Sequence, residues 1–176
     1  MTPATYSARE QLRDGHLIHI RALRPDDEGD MLAAVDQTNA ESLRRRFFVT
    51  KRKFSTEEKA FFLHVDFVNH VALVAVVDDG DRRSIVGGCR YIVTEPGKAE
   101  VAFVVIDAYQ GQGIGTMLTR HLAGVARAAG LKELAADVLP ENTAMRNVLR
   151  KCGFEAGPSA DPQVIHLTLS LPVASP

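Results

Sequence analysis

The chain has 176 residues, 45% of them hydrophobic and 24% charged, the composition of one ordinary globular domain with a single substantial core. Its 21 Lys and Arg nearly cancel its 22 Asp and Glu, for a formal net charge of −1, which argues against a nucleic-acid-binding surface. No apolar run reaches the roughly eighteen residues of a membrane span, residues 1–14 carry no signal-like apolar stretch, and Cys89 and Cys152 are too few for a disulfide framework. The expectation is one cytoplasmic domain over residues 1–176, with residues 1–14 and 172–176 as flexible ends.

In chain order, His16-Leu17-Ile18-His19-Ile20-Arg21 alternates and reads as the opening strand. Arg24-Pro25-Asp26-Asp27 starts a helix that ends near Thr38-Asn39, with acidic residues in its first turn. Ser55-Thr56-Glu57-Glu58 offers capping-box chemistry for a second helix through about His64. Val71–Val77 and Ser84–Val93 form a hairpin across Asp78-Asp79-Gly80-Asp81. Lys98–Ile106 is the next strand, and a helix closed by Gly130 follows it. Leu134–Val138 is a short strand, Asn142 opens the last helix, and Val164–Leu171 is the final strand.

The most informative segment is the junction after the Lys98–Ile106 strand. The sequence Gln110-Gly111-Gln112-Gly113-Ile114-Gly115-Thr116 joins that apolar run to the helical periodicity of Thr116–Ala123. Glycines at alternate positions let backbone N–H groups crowd together with no Cβ in the way. At a helix start those groups have no intrahelical partner, and the macrodipole adds partial positive charge. Such a corner is a phosphate or pyrophosphate site. It is not a P-loop, because no Lys follows the last glycine. It is not the dinucleotide fingerprint either, which needs G-x-G-x-x-G in a first βαβ unit.

Gln110, Gly113 and Gly115 form Gln-x-x-Gly-x-Gly. This resembles the acetyl-CoA pyrophosphate loop of the GNAT superfamily, the GCN5-related N-acetyltransferases. The segment Asn142–Phe154, ending Cys152-Gly153-Phe154, resembles the family's last helix and its Gly-Phe ending. The resemblance covers nearly the whole chain. It implies an α/β (α+β) domain of the GNAT fold, with a mixed central sheet of about six or seven strands flanked by about four helices. It also implies acetyl-CoA as cosubstrate, with its diphosphate at Gln110, Gly111, Gln112, Gly113, Ile114, Gly115 and Thr116. Its thioester arm would run along the splayed strand backbone at Phe103, Val104, Val105 and Ile106. There the N–H groups would serve as an oxyanion hole.

An amine acceptor must lose a proton, since a lysine ammonium with a pKa of about 10.4 is almost wholly charged at neutral pH. Glu100, in Lys98-Ala99-Glu100-Val101-Ala102, is the candidate base, because a carboxylate inside an apolar strand needs a reason to be there. The alternatives are a solvent-facing strand position and an ion pair with a neighbour such as Arg90. Glutamate here also resembles the base position of the bacterial protein-lysine acetyltransferases. Glu41–Phe48 looks like that subgroup's Ser-x-x-x-Arg-Phe-Phe segment, and Asn142-Thr143-Ala144-Met145 looks like its Asn-x-x-Met variant. Where many GNATs carry a tyrosine acid the chain has Leu149, so coenzyme A departs as a thiolate or with help from water.

Other residues carry less. Arg44-Arg45-Arg46 reads as a solvated face or as a cationic patch for an acidic protein or the adenosine 3′-phosphate. Asn142 either bonds coenzyme A or caps its helix. Cys89 and Cys152 read as small buried hydrophobes. The histidines lack metal spacing, so no metal is expected, although His64 and His70 could line the acceptor cleft. The sequence reading is therefore a GNAT N-acetyltransferase acting on a primary amine, a protein lysine by preference. Rival readings are a small-molecule amine acetyltransferase (polyamine, amino acid, drug) and a non-catalytic acyl-CoA sensor. No nucleic-acid or membrane partner is expected, and the oligomeric state is left open.

Overall fold

A mixed sheet runs through the molecule, and its order follows from which strands are apolar on both faces. The computed structural model describes residues 1–36, 57, 60 and 63–173. Its strands are β1 (Ser7–Gln11), β2 (Leu17–Ala22), β3 (His70–Asp78), β4 (Arg83–Glu95), β5 (Lys98–Val105), β6 (Glu133–Val138), β7 (Glu155–Gly157) and β8 (Ile165–Ser170). Its described helices are α1 (Glu28–Asp36), α2 (Ile114–Ala128) and α3 (Thr143–Lys151), with single 3-10 turns at Pro3–Thr5, Pro25–Asp27 and Asp107–Tyr109. The sheet order is β1-β2-β3-β4-β5-β6-β8-β7.

β3 lies near the middle of the sheet, and its unbroken run from Val71 to Val77 is buried throughout. A strand covered on both faces has no solvent side to demand polar residues. One face of the sheet packs against α2, where Leu118 and Leu122 meet Cys89, Tyr91, Val101 and Phe103. The other face carries Leu23, Ala72, Val74, Val76 and Ile85 against Met31 and Ala34 of α1. α1 is anchored at its start by Asp27, whose carboxylate accepts two hydrogen bonds from the Arg21 guanidinium, each 2.8 Å, and one from Arg24 N–H at 2.7 Å.

Every strand pairing is antiparallel except that of β5 with β6. This parallel pairing spans only Lys98–Glu133, Ala99–Leu134 and Glu100–Ala135. Beyond Glu100 the two strands part, and the space between them is the structural basis of the site.

Two expectations are corrected. The sheet has eight strands where six or seven were expected. The N-terminal stretch expected to be flexible contains β1, paired with β2 from Ser7–Arg21 to Gln11–Leu17. Its polar sequence gives no apolar signal, yet Tyr6 and Leu12 at its ends join the core, and the Tyr6 hydroxyl meets His121 Nδ1 of α2 at 2.5 Å. The second added strand, β7, is short and wholly exposed. Glu57, Ala60 and Leu63 are helical. His64, at the expected end of the second helix, donates its N–H to Ala60 O at 2.8 Å, whereas residues 55, 56, 58, 59, 61 and 62, the expected helix end at Thr38-Asn39, the Glu41–Phe48 segment with its three arginines, and residues 174–176 lie outside the described residues.

Candidate active site

The corner expected to hold a phosphate is built as its sequence requires. Gly113 is the N-cap of α2 at φ 90°, in the left-handed region, and Gly111 has φ 80°. A side chain at either position would be strained. The first helical N–H with an intrahelical acceptor is that of Met117, which donates to Gly113 O at 3.0 Å. The N–H groups of Ile114, Gly115 and Thr116 therefore sit at the open, positive end of the helix. Gly115 differs from them: its φ is not in the left-handed region, and a Cβ there would only touch Val148 of α3 at an ordinary 3.6 Å.

A cavity of about 680 Å³ extends from this corner into the gap between β5 and β6. Its lining runs from Gly113, Gly115 and Thr116 past Phe103 and Val105 to Ala102 and Glu100. The strand backbone faces it selectively. Ile106 N–H donates to Val86 O at 2.9 Å, which makes that pair a hydrogen-bonded one in the antiparallel β4–β5 ladder. Alternate residues of the strand then point their N–H and C=O groups in opposite directions. Val104 and Ile106 spend theirs on β4, while Phe103 and Val105 turn theirs toward the gap.

Ile106 is thereby corrected as a main-chain ligand candidate: its N–H is committed to Val86, its C=O accepts from Tyr109 N–H at 3.0 Å, and its side chain is buried. Val104 also borders the cavity, with its N–H and C=O on the β4 side. Gln112 is also absent from the lining, with its Oε1 buried inside the loop. Gln110 lines the cavity and braces the loop, its Nε2 donating to Val105 O at 3.1 Å and to Asp107 Oδ1 at 3.2 Å. Asn142 does cap α3, its Oδ1 accepting from Met145 N–H at 3.2 Å, and it borders the cavity as well.

Glu100 lies on the α1 side of β5, exposed and opening into the cavity. No hydrogen bond or ion pair engages its carboxylate among the described residues. The ion pair with Arg90 weighed from sequence is not formed. Arg90 is buried, and its Nη1 donates to His70 Nε2 at 2.9 Å. Burial lowers the Arg90 pKa to about 10, which leaves it cationic at neutral pH. Burial, followed by the Arg90 charge, lowers His70 to about 4, so His70 is neutral there and accepts the Arg90 bond. His70, Ile92 and Glu100 form one cross-strand row, which puts His70 two strands away from the carboxylate. His64 is exposed.

Leu149 lines the cavity, and no hydroxyl stands at its position. Cys89 is a core residue whose Sγ lies 3.7 Å from Leu118 O, and Cys152 is half-buried, its pKa raised by burial. Arg13, Tyr109 and Lys151 also line the cavity. None was singled out from sequence, and Arg13 lies in the turn after the unexpected strand β1.

The sequence model described as "Acetyltransferase (GNAT) family" matches residues 37–154. This chain belongs to that family. Membership makes it a GNAT-type acyltransferase with acetyl-CoA as its acyl donor. Among similar proteins is an acetyltransferase of Pseudomonas aeruginosa, 32% identical over 161 residues, covering 89% of this chain and 86% of that one. The GNAT domain of a Streptomyces lividans PAT superimposes with TM-score 0.87 at 33% identity, covering 94% of this chain and 97% of that one. An acetyltransferase named Pat from Mycolicibacterium smegmatis is 32% identical over 145 residues. That match takes in 81% of this chain but only 43% of the mycolicibacterial protein. Among the described residues no helix is long and apolar enough to cross a membrane.

Proposed function

We propose that this protein transfers the acetyl group of acetyl-CoA directly to the ε-amine of a protein lysine. The observation that carries the reading is continuity. A single cavity joins the open amides of α2, the inward-turned backbone of Phe103 and Val105, and the carboxylate of Glu100, which no described residue engages. The diphosphate is held at the start of α2, with Arg13 and Lys151 adding positive charge at the same cavity. The pantetheine arm occupies the gap between β5 and β6, so that the thioester carbonyl meets the N–H of Phe103 or Val105.

Glu100 takes one proton from the lysine ammonium, directly or through a water molecule. The freed amine attacks the thioester carbon, and the backbone donors stabilise the oxyanion that forms. As the tetrahedral intermediate collapses, the new C–N bond remains and the C–S bond breaks. Coenzyme A leaves as a thiolate with a pKa near that of cysteine, about 8.5, which is tolerable without a protein acid. The second proton of the nitrogen passes to solvent. The likeness to the PAT domain, and the exposed position of Glu100 on an open side of the cavity, support a protein lysine over a small amine.

The test is free-thiol release from acetyl-CoA with two acceptor panels, lysine-containing proteins and peptides in one, polyamines, amino acids and aminoglycosides in the other. Turnover confined to the protein panel is the expected result. Faster turnover on a small amine would replace the acceptor, and tight acetyl-CoA binding with no thiol release from either panel would favour a sensor.

A further inference from the structure

We propose that Asp137, held in place by His166, grips the nitrogen of the incoming acceptor from the wall of the cavity opposite Glu100. It binds and orients the amine and takes no proton. The inference deepens the reading above and rests on the thioester lying beside Phe103 and Val105.

The strand register carries Asp137 to this place. In β6, Leu134, Ala136 and Val138 turn into the core shared with α2, so the alternate residues Ala135 and Asp137 stand on the α1 side. Ala135 is the register partner of Glu100, and Glu100 and Asp137 both line the large cavity. Two residues further along, roughly 7 Å, Asp137 is level with Ala102, next to the Phe103 amide assigned to the thioester carbonyl. The strands have parted by then. The two carboxylates therefore stand on opposite walls of the gap, Glu100 on β5 and Asp137 on β6. An amine placed over the carbonyl from the α1 side lies between them.

His166 fixes the direction of the second carboxylate. It is the cross-strand partner of Asp137 on β8, and its Nδ1 lies 2.7 Å from Asp137 Oδ1. An ionised carboxylate only accepts, so Nδ1 carries the hydrogen and donates it. Beyond His166 the row ends at Gly157 of β7, which offers the ring no competing side chain. Oδ2 of Asp137 is engaged by no described residue. The other carboxylate on this face of β6, Glu133, differs, because Lys98 pairs with it at 3.8 Å. The Asp137 and His166 side chains are 43% and 31% exposed, and a pair that open to water contributes little to stability. Stability does not account for a fixed carboxylate in the cavity wall.

The chemistry of the acceptor does. An ammonium presents three N–H groups. Glu100 takes the proton of one, and a second, donated to Asp137 Oδ2, turns the emerging lone pair toward the thioester carbon. Charge-assisted hydrogen bonds of this kind are the strong ones. The grip also works against the proton step, since an anion beside the nitrogen favours its charged form. The contribution of Asp137 therefore belongs in the KM for the acceptor and not in kcat, the reverse of the pattern for Glu100.

The experiment is thiol release from acetyl-CoA by the whole protein, wild type, Asp137→Asn, His166→Phe and His166→Asn. The acceptors are Nα-acetyl-lysine methylamide and the fastest-reacting lysine peptide of the panel above. Asp137→Asn should raise the acceptor KM about tenfold or more and keep kcat within about threefold. The Kd for acetyl-CoA should stay unchanged by calorimetry. His166→Phe should raise the same KM severalfold, and His166→Asn, which keeps an N–H where Nδ1 stands, should recover most of that loss. The two His166 variants carry the test alone if Asp137→Asn does not fold. An acceptor KM unmoved by Asp137→Asn would overturn the proposal, as would a fall in kcat larger than the rise in KM, or equal losses in both His166 variants. No thiol release by wild type with any lysine acceptor would remove the reading beneath it, an outcome visible before any variant is compared.

Discussion

Glu100 is the one residue to which the proposed mechanism gives the proton transfer, and it opens into the large cavity. Its neighbours along β5 are Ala99 and Val101, and the cationic Arg90 nearby is bonded to His70 instead. General-base catalysis by a positioned side chain typically contributes about 10²–10⁴ in rate. Glu100→Gln should thus lower kcat by that factor in a thiol-release assay while leaving the Kd for acetyl-CoA unchanged by calorimetry. An unchanged kcat across the pH range would show that the proton leaves by another route. The place of Glu100 on β5 was legible because a charge in an apolar strand stands out; its role as the base is the proposal tested by this variant. The roles of Phe103, Val104, Val105 and Ile106 were not separable from sequence. Which alternate residues face the gap depends on the β4–β5 register, fixed by Ile106 N–H bonding Val86 O, and no side chain announces that phase. Arg13 was invisible for another reason, since nearly a hundred residues of sequence separate it from the glycine loop that lines the same cavity.

The elements split along the same line. Those with strong apolar periodicity, β3, β4, β5 and α2, were read with bounds close to those observed. β1 and β7 were missed because their sequences, Ser-Ala-Arg-Glu-Gln and Glu-Ala-Gly, carry polar side chains that owe their strand geometry to pairing with β2 and β8. α1 depends on a local device that was only partly legible. Asp27 was read as first-turn acid; its pairing with Arg21 across six residues is what fixes the helix to the sheet. Burial acts to raise the Asp27 pKa, but the Arg21 guanidinium and the Arg24 N–H outweigh it and hold the carboxyl below its ordinary value. With the folded pKa depressed, this stabilisation is complete above the unfolded value near 3.9 and is lost as pH falls through the folded one. Asp27→Ala leaves Arg21 buried without its partner, with side chains only 12% and 5% exposed in the pair. It should cost about 3–5 kcal/mol at pH 7 in urea unfolding. The difference from wild type should shrink below about pH 4. A difference that persists undiminished in acid would mean that packing, rather than charge, anchors α1.

At the scale of the molecule, two simple facts meet. One face of the sheet is closed by α2 and the other by α1, and the gap between β5 and β6 is the passage that joins them. α2 begins on its side of that gap with open amides, and Glu100 stands at the end of the gap where the strands come together on the α1 side. In the proposed mechanism the donor enters by its phosphates at one side and the amine at the other, and they meet between the two strands. The glycine loop and the order of strands and helices made the family legible from sequence. The parting of β5 from β6 was known only through the resemblance, because strand pairing ends here without any change in residue type.

The most direct test is the structure of this protein crystallised with coenzyme A. The account predicts diphosphate oxygens within about 2.7–3.2 Å of N–H groups in the Gly111–Thr116 corner. It also predicts the pantetheine between β5 and β6 and the sulfur on the Glu100 side of Val105. A diphosphate bound elsewhere, or a gap filled by side chains with the coenzyme lying outside it, would contradict it.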